Sequence, residues 1–483
     1  MKTADTLSRR FAAFSPRLNR RPITPATVAL HGGALLLLIL LTIQAWHQSG
    51  VLAWSVGLAY LGYDTVLLIF VGSRIAPLRH IRPAGQAEGP PPTLAVLVAA
   101  HNEAAVIETT VQALLSQSSP PDQIWIVDDG STDSTLDVMR QSFGYADVAV
   151  GQDAQSPAVP QLRWIRLPHG GKARALNAAL ERVDCDIVLT VDADTLLARD
   201  AIEAMRNAFH REPALVAATG LLRPICGRSL SGRMFEWFQT YEYVRNFISR
   251  FAWMRVDGLL LISGAFAGFR RDAVVAVGGF DPDCLVEDYE LIHRLHRWSV
   301  DHRLDWKIRV LGEARASTDA PGTVGAFLRQ RRRWFGGFLQ TQYWNRDMVG
   351  NARFGRLGTM MLPVKALDTV QPLYGLVAFA LLVKFLAGGQ LPVVGPILIA
   401  MLAKIAIDLG FHLWSIMLYR RWSGGMLPDG WGRVLLASFV EPFSFQLLRH
   451  LGAAWGWLAF LGRSSTWGHA QRGGILSRTA PAE

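Results

Sequence analysis

Two apolar runs near the N-terminus, Thr27 to Trp46 and Leu52 to Val71, constrain this chain before anything else does. At 1.5 Å of rise per residue, a helix of about 20 residues matches the roughly 30 Å of hydrocarbon in a bilayer. Only "HQSGV" separates the runs, and it carries no Lys or Arg. Lys2, Arg9, Arg10, Arg17, Arg20 and Arg21 precede the first run; Arg74, Arg79 and Arg82 follow the second. Because basic flanks stay in the cytoplasm, the chain is expected to begin with a basic cytosolic segment, 1–26, and a pair of transmembrane helices within 27–75. A cleaved leader is not expected, since the first run is too long and a second follows at once.

The formal net charge of +10 raises the question of nucleic acid. Its juxtamembrane placement, continued by Arg420 and Arg421 after a later apolar run, answers for topology and anionic membrane lipids instead, so no nucleic acid partner is expected. The three cysteines, Cys185, Cys226 and Cys284, are scattered and odd in number, which suits a reducing compartment. A Pro/Gly-rich linker, 82–93, leads into a water-soluble stretch. Apolar character returns at Leu373–Leu386, Leu391–Leu418 and Val434–Leu461, giving two or three C-terminal membrane helices within 359–462. Residues 335–358, aromatic and holding Gly336 and Gly337, read as an interfacial region. Three full crossings would put the basic tail, 463–483, outside, against the same charge rule. The run containing Glu441, Pro442, Arg449 and His450 is therefore expected to span, kink or re-enter.

Within the soluble stretch, "TLAVLVAAHNE" is a continuous apolar run closed by polar residues, as in a buried parallel strand. "QIWIVDDGSTD", "LRWIRLP" and "CDIVLTVDAD" repeat the pattern, with helical segments such as "AAVIETTVQALLSQ" and "KARALNAALERV" between. The alternation predicts an α/β domain with a mostly parallel, doubly wound sheet, whose ligands bind beyond the carboxyl ends of the strands. "HGGK" at 169–172 fails as a P-loop, because Ala173 follows Lys172 and Arg166 stands where a glycine is needed. No G-x-G-x-x-G follows a strand. The strand ends are instead acidic, and acids bind phosphate through a divalent cation. Asp192 and Asp194, one residue apart at a strand end, suit such an ion if the chain is extended there. Taken singly, the same residues also make a solvated turn, and "DDGSTD" a turn with an N-cap.

In order, "AHNE", "VDDGSTD", "GGKARALN", "DAD", "SGAFAGFRR", "VEDYE" and "QRRRW" resemble the membrane-integrated, processive family-2 glycosyltransferases, from about Val96 to Trp334. The synthases of the poly-N-acetylglucosamine, chitin and hyaluronan types are most similar. The resemblance implies a GT-A-type, Rossmann-like domain, 93–334, inserted between N- and C-terminal transmembrane helices of a bacterial-type inner membrane. It implies that His101, Asn102, Glu103, Asp128 and Asp129 hold the nucleoside of a UDP-sugar, that Lys172 approaches the diphosphate, and that Asp192 and Asp194 hold Mg2+ or Mn2+. Gly264 would floor the acceptor site. Gln330, Arg333 and Trp334 would meet diphosphate and acceptor, while Arg331 and Arg332 remain open to lipid. Asp288, beside Glu287, would be the base that deprotonates an acceptor hydroxyl, against the plainer reading of the pair as helix-capping acids. The family shows Thr where this chain has Val286.

Together these readings give an inverting, metal-dependent β-glycosyltransferase with a cytosolic catalytic domain. It would polymerise a sugar from a UDP donor onto a polysaccharide, with possible export partners; the alternative is one transfer to a lipid carrier or glycolipid. Two features stay apart from this. His293 and His296 have helical spacing for zinc but lack a third ligand. Lys404 and Asp408 share a face of a membrane helix, as a structural ion pair or as lining of a polymer path.

Overall fold

The computed structural model describes residues 4–48, 50–80, 88–425, 436–437 and 439–462. The expected linker up to residue 87, the start of the last apolar run at Val434 and the basic tail 463–483 lie outside them.

A short amphipathic helix, α1 (Ala4–Phe14), precedes the first apolar helix, α2 (Pro25–Gln44). The start of α2 is fixed locally: Thr24 accepts from the amide of Thr27, and Pro25 fills the first turn, where a missing N–H costs nothing. A 3-10 turn, Gly50–Trp54, leads into α3 (Ser55–Ile75). Among the described residues, four helical stretches are long and apolar enough to cross a membrane: Pro25–Gln44, Gly50–His80, Leu357–Ala387 and Leu391–Trp422. On α2, Val28, Leu36, Ile39, Leu40 and Ile43 are all more than half exposed, which is tolerable only against lipid.

Between the apolar ends lies a nine-stranded sheet. Its strands are β1 (Leu94–Ala100), β2 (Gln123–Asp129), β3 (Asp153–Gln155), β4 (Leu162–Leu167), β5 (Ile187–Val191), β6 (Thr195–Leu197), β7 (Leu215–Ile225), β8 (Phe266–Arg270) and β9 (Lys307–Asp319). The order across the sheet is β3-β4-β2-β1-β5-β8-β7-β9-β6. The β4-β2-β1-β5 half is parallel, and its apolar runs are covered on both faces. The other half is mixed. β8 runs antiparallel to both β5 and β7, β6 runs antiparallel to β9, and β7 pairs with β9 in parallel. The register aligns Ala100 with Asp128 and Asp128 with Arg166, so the polar segments after β1, β2 and β4 emerge at one level.

The covering helices are α4 (Ile107–Leu115), α5 (Thr135–Phe143), α6 (Lys172–Leu180), α7 (Ala201–Arg211), α8 (Leu230–Met254), α9 (Arg271–Ala276) and α10 (Glu287–Asp301). Next comes α11 (Val324–Trp344), which carries Gln330 to Trp334 and runs on without a break through residues 335–344. The membrane helices α12 (Leu362–Ala387) and α13 (Leu391–Trp422) follow. A last helix, Phe445–Leu461, has 17 residues, the lower end of the length that crosses a bilayer. It lies along α11, where a Cβ on Gly452 would stand 2.5 Å from Cβ of Arg331, and one on Gly456 2.7 Å from Cβ of Phe335. Glycine is what lets these two helices touch.

Candidate active site

The nucleoside end is built by the loops after β1 and β2. Asn102 sits in the left-handed region (φ 58°), which its short polar side chain tolerates. Its Oδ1 accepts from the amides of Thr132 (2.7 Å) and Asp133 (3.2 Å), tying the two loops together. Glu103 is buried. The ring Nδ1 of His101 lies 2.8 Å from the carbonyl of Asp129. The carboxylate of Asp129 accepts from the amides of Gly170 (2.7 Å) and Gly171 (2.9 Å) and meets Nδ1 of His169 at 2.9 Å. Asp129 therefore enters the site as the anchor of the "HGGK" loop. Asp128 takes the amide of Ser131 (3.0 Å), and burial raises its pKa. His101, Asp129 and His169 bring their ligating atoms within 4.8 Å of one another. Neither Asp192 nor Asp194 belongs to this group.

The anchored loop launches α6, whose first residue is Lys172. Its Nζ is 2.5 Å from Oδ1 of Asp192 and 3.5 Å from Oε1 of Glu287, so one cation joins two acid motifs 95 residues apart in sequence. Asp192 and Asp194 lie on the turn between β5 and β6, where the extended chain is interrupted. The turn, not strand alternation, brings them together. Sequence reasoning missed Asp319. The β6–β9 pairing sets it beside Asp194, with its amide donating to the carbonyl of Asp194 (3.2 Å). Burial raises the pKa of Asp194, and the charges of Asp192 and Asp319 raise it further. A crowd of carboxylate oxygens with one lysine for relief is a donor set that fits a hard divalent cation.

Asp288 stands in the first turn of α10, but the N-cap position is Val286, which makes no capping bond. Its Oδ2 instead leaves the helix and accepts from the amide of Gly264 at 2.6 Å, while Oδ1 takes the amide of Tyr289 at 2.8 Å. A Cβ on residue 264 would lie 3.0 Å from that Oδ2, so the approach needs glycine. Val286 is buried against Gly337. Glu287 is buried, and this raises its pKa.

On α11, the guanidinium of Arg333 donates to the carbonyl of Leu285 (3.3 Å). Gln330 has a buried Oε1 with no hydrogen bond among the described residues. Arg331 does not face lipid: it is buried, donates to both oxygens of Glu242 (2.9 and 3.0 Å) and lies over the ring of Trp334. Helical spacing, which alternates faces within "RRR", separates it from Arg333. His293 and His296 do not converge either. Nδ1 of His293 turns to the carbonyl of Tyr289, and Nε2 of His296 to that of Leu259.

A cavity of about 630 Å³ is lined by Lys172, Asp192, Gly264, Asp288, Arg333 and Trp334. Its lining continues into the membrane helices through Tyr60, Asp64, Lys404, Asp408 and Gln446. Lys404 pairs with both Asp64 (2.5 Å) and Asp408, so the ion pair and the cavity lining are the same residues. Arg250, on α8, also lines this cavity and carried no signal in the sequence.

The chain is similar to known glycosyltransferases. "Glycosyl transferase family 2" matches residues 95–278, and "Glycosyl transferase family group 2" matches residues 187–407. A poly-beta-1,6-N-acetyl-D-glucosamine synthase of Staphylococcus epidermidis is 28% identical over 52% of this chain and 57% of its own length. One from Staphylococcus aureus (strain COL) is 29% identical over 49% of this chain and 52% of its own. The chain thus spans about half the length of these curated relatives. A mannosyltransferase from Pyrobaculum calidifontis, solved in complex with GDP-Man and Mn2+, has the same fold (TM-score 0.54, 21% identity), over 81% of this chain and 99% of that one.

Proposed function

This chain is a glycosyltransferase with a family-2 domain flanked by apolar helices, and on that premise we propose an inverting enzyme that polymerises a UDP-activated sugar into a β-linked polysaccharide. One observation carries the reading: Oδ2 of Asp288, 2.6 Å from the amide of Gly264, lies on the same cavity as Lys172 and Asp192. The catalytic domain, 93–334, works in the cytosol, and the product leaves along the cavity into the membrane helices, with or without export partners.

His101, Asn102, Glu103 and Asp128 receive uracil and ribose, and Asp129 holds the loop that presents Lys172. Lys172 and Arg333 face the diphosphate. Asp192 and Asp194 hold Mg2+ or Mn2+, which when bound neutralises charge developing on the departing diphosphate. The acceptor sugar stacks on Trp334 beside Gln330 and Gly264. Its hydroxyl oxygen bonds to the anomeric carbon as the bond from that carbon to the diphosphate oxygen breaks. The proton passes to the carboxylate of Asp288, and Glu287 keeps Lys172 in place. Attack opposite the leaving group inverts the anomeric centre.

Purified membranes incubated with a panel of UDP-sugars and GDP-mannose, scored for nucleotide release and product length, test the reading. A product ladder from a UDP donor, lost in excess EDTA and restored by Mg2+ or Mn2+, is expected. A single addition to lipid indicates the non-processive alternative, release from GDP-mannose alone overturns the UDP assignment, and full turnover in EDTA removes the metal.

A further inference from the structure

Two imidazoles and a carboxylate meet where the loops after β1, β2 and β4 come together, and the transfer chemistry uses them only in part. One ligating atom from each of His101, Asp129 and His169 lies within 4.8 Å of the others. None of the three lines the cavity that holds Lys172 and Asp288. The imidazole rings stack with centroids 4.4 Å apart and planes 31° from parallel. Glycine makes the approach possible: at Gly130 (φ 68°) a Cβ would stand 2.6 Å from the amide nitrogen of His169.

The ring protons are placed by what they meet. Nδ1 of His101 lies 2.8 Å, and Nδ1 of His169 3.1 Å, from the carbonyl oxygen of Asp129. A carbonyl can only accept, so each Nδ1 carries the hydrogen and each neutral ring keeps the bare lone pair of Nε2. Metal-ligating histidines are oriented in this way, the far N–H donating to a carbonyl or carboxylate. Nδ2 of Asn102 stands 3.4 Å from Nε2 of His101, a contact long enough to yield. Asp129 commits three of about four carboxylate lone-pair positions to the amides of Gly170 and Gly171 and to His169. The side chain of His169 is 64% exposed, so an ion can reach the group from solvent. Tetrahedral Zn2+ with bonds of about 2.1 Å sets its ligands about 3.4 Å apart, so the group has to close by at most about 1.4 Å.

Imidazole suits Zn2+, whereas Mg2+ and Mn2+ prefer an all-oxygen set such as Asp192 and Asp194. We infer that His101, Asp129 and His169 form a second metal site, selective for a borderline divalent cation such as Zn2+, which inhibits transfer when filled. The ion takes His101 away from the nucleoside and, through Asp129 and His169, holds the loop that presents Lys172. The competition with donor rests on the nucleotide-sugar reading above; the binding of the ion does not.

The test titrates full-length protein in detergent with Zn2+ by calorimetry, with Mg2+ in excess to fill the acidic site, for wild type, His169→Gln and His101→Gln. Wild type should bind one Zn2+. Both variants should bind it more weakly, by at least the roughly 10- to 100-fold that loss of an outer-shell partner costs. Melting temperatures near wild type report that the variants fold. UDP release from the most active donor of the panel is then followed at rising Zn2+ for wild type and His169→Gln, each relative to its own zinc-free rate. Inhibition of wild type should be relieved by more UDP-sugar, and half-inhibition of His169→Gln should need at least about tenfold more Zn2+. Equal Zn2+ affinity in wild type and both variants, or inhibition that yields to extra Mg2+ and is unchanged in His169→Gln, overturns the site. Zn2+ binding without inhibition, or inhibition that UDP-sugar does not relieve, overturns its inhibitory role. Absence of zinc-free turnover with every UDP-sugar defeats the transferase reading, while calorimetry on the same proteins still decides the site.

Discussion

α10 and α11 each carry like-charged residues within one or two turns whose surroundings are opposite. On α10, Asp288 reaches out of the helix to Gly264 at the cavity, whereas Glu290, two residues on, is fully buried. Arg294 grips Glu290 through Nε (2.7 and 2.9 Å) and Nη2 (2.6 Å), while its Nη1 donates to the carbonyl of Val277 (2.6 Å). Phe11 of α1 closes the far side of that arginine. On α11 both arginines line the cavity, but Arg331 is buried with its guanidinium taken up by both oxygens of Glu242, whereas half-buried Arg333 donates to the carbonyl of Leu285. At 100° per residue, a step of two positions turns a side chain to the other side of the helix. Neighbouring charges can thus serve chemistry and architecture separately.

The sharpest way to break this contrast is to neutralise each carboxylate in turn. Asp288→Asn keeps size and one of the two contacts with backbone amides, but cannot take a proton. Transfer should fall on the order of 100- to 10,000-fold, while UDP affinity and melting temperature stay near wild type. Near-wild-type rates would remove Asp288 from the mechanism. Glu290→Gln should do the reverse. Breaking a buried pair leaves an uncompensated charge, at a cost of roughly 3–5 kcal/mol. Thermal unfolding in detergent should show a large drop in midpoint, with turnover per folded molecule preserved. Lost turnover at unchanged midpoint would place Glu290 in the site.

The arginines sharpen the same contrast at smaller amplitude. A lysine keeps the charge but loses the planar fork. Arg333→Lys should impair transfer with little change in stability. Arg331→Lys, losing one of two bonds to Glu242, should lower the melting temperature first. Equal effects on both measurements at both positions would collapse the distinction.

How much of this was legible beforehand depended on how local the signal was. β1, β2, β4 and β5 could be read because each is an unbroken apolar run ending in polar residues, and their parallel pairing follows from the helices between. The antiparallel β8 and β6 gave no such cue, since direction there is set by long-range pairing. His101 to Glu103, Asp128 and Asp129 lie at strand ends and were visible. The anchoring of the "HGGK" loop by Asp129 was not, because it joins segments 41 and 42 residues apart. Asp319 lies 125 residues from Asp194 and meets it only through β6 and β9. Arg250 sits in a helix rich in arginine and aromatic residues, where no spacing marks the ones that reach the cavity. For Arg331 and Arg333, the helical period held the answer, but which face met Glu242 did not.

The smallest expected effect concerns the buried side of α10. His293 is fully buried one turn after Tyr289, with Nε2 lacking a hydrogen bond among the described residues and Nδ1 turned to the Tyr289 carbonyl. Burial pushes its pKa down to about 3, helped by the charges of His296 and Arg297. The unfolded chain takes up its proton near pH 6.5, so it binds more protons than the folded one between there and pH 3. The stability that neutral His293 allows is therefore complete above pH 6.5 and declines as the pH falls. At pH 5, about 1.5 units below the unfolded value, the loss is roughly 2 kcal/mol. The cavity-side carboxylates Asp128, Asp194 and Glu287, their pKa values raised by burial, take up protons in the folded state as the pH falls and offset part of that decline, equally in wild type and in a His293 variant. His293→Leu removes the titration and keeps the site apolar, at the expense of one bond to a helix carbonyl. Melting temperatures measured from pH 7.5 to pH 5 should fall more steeply for wild type than for His293→Leu. His296 is also depressed by burial and shares the slope, so His296→Gln should flatten the curve in part. Parallel curves for all three proteins would mean that this side of α10 does not register pH.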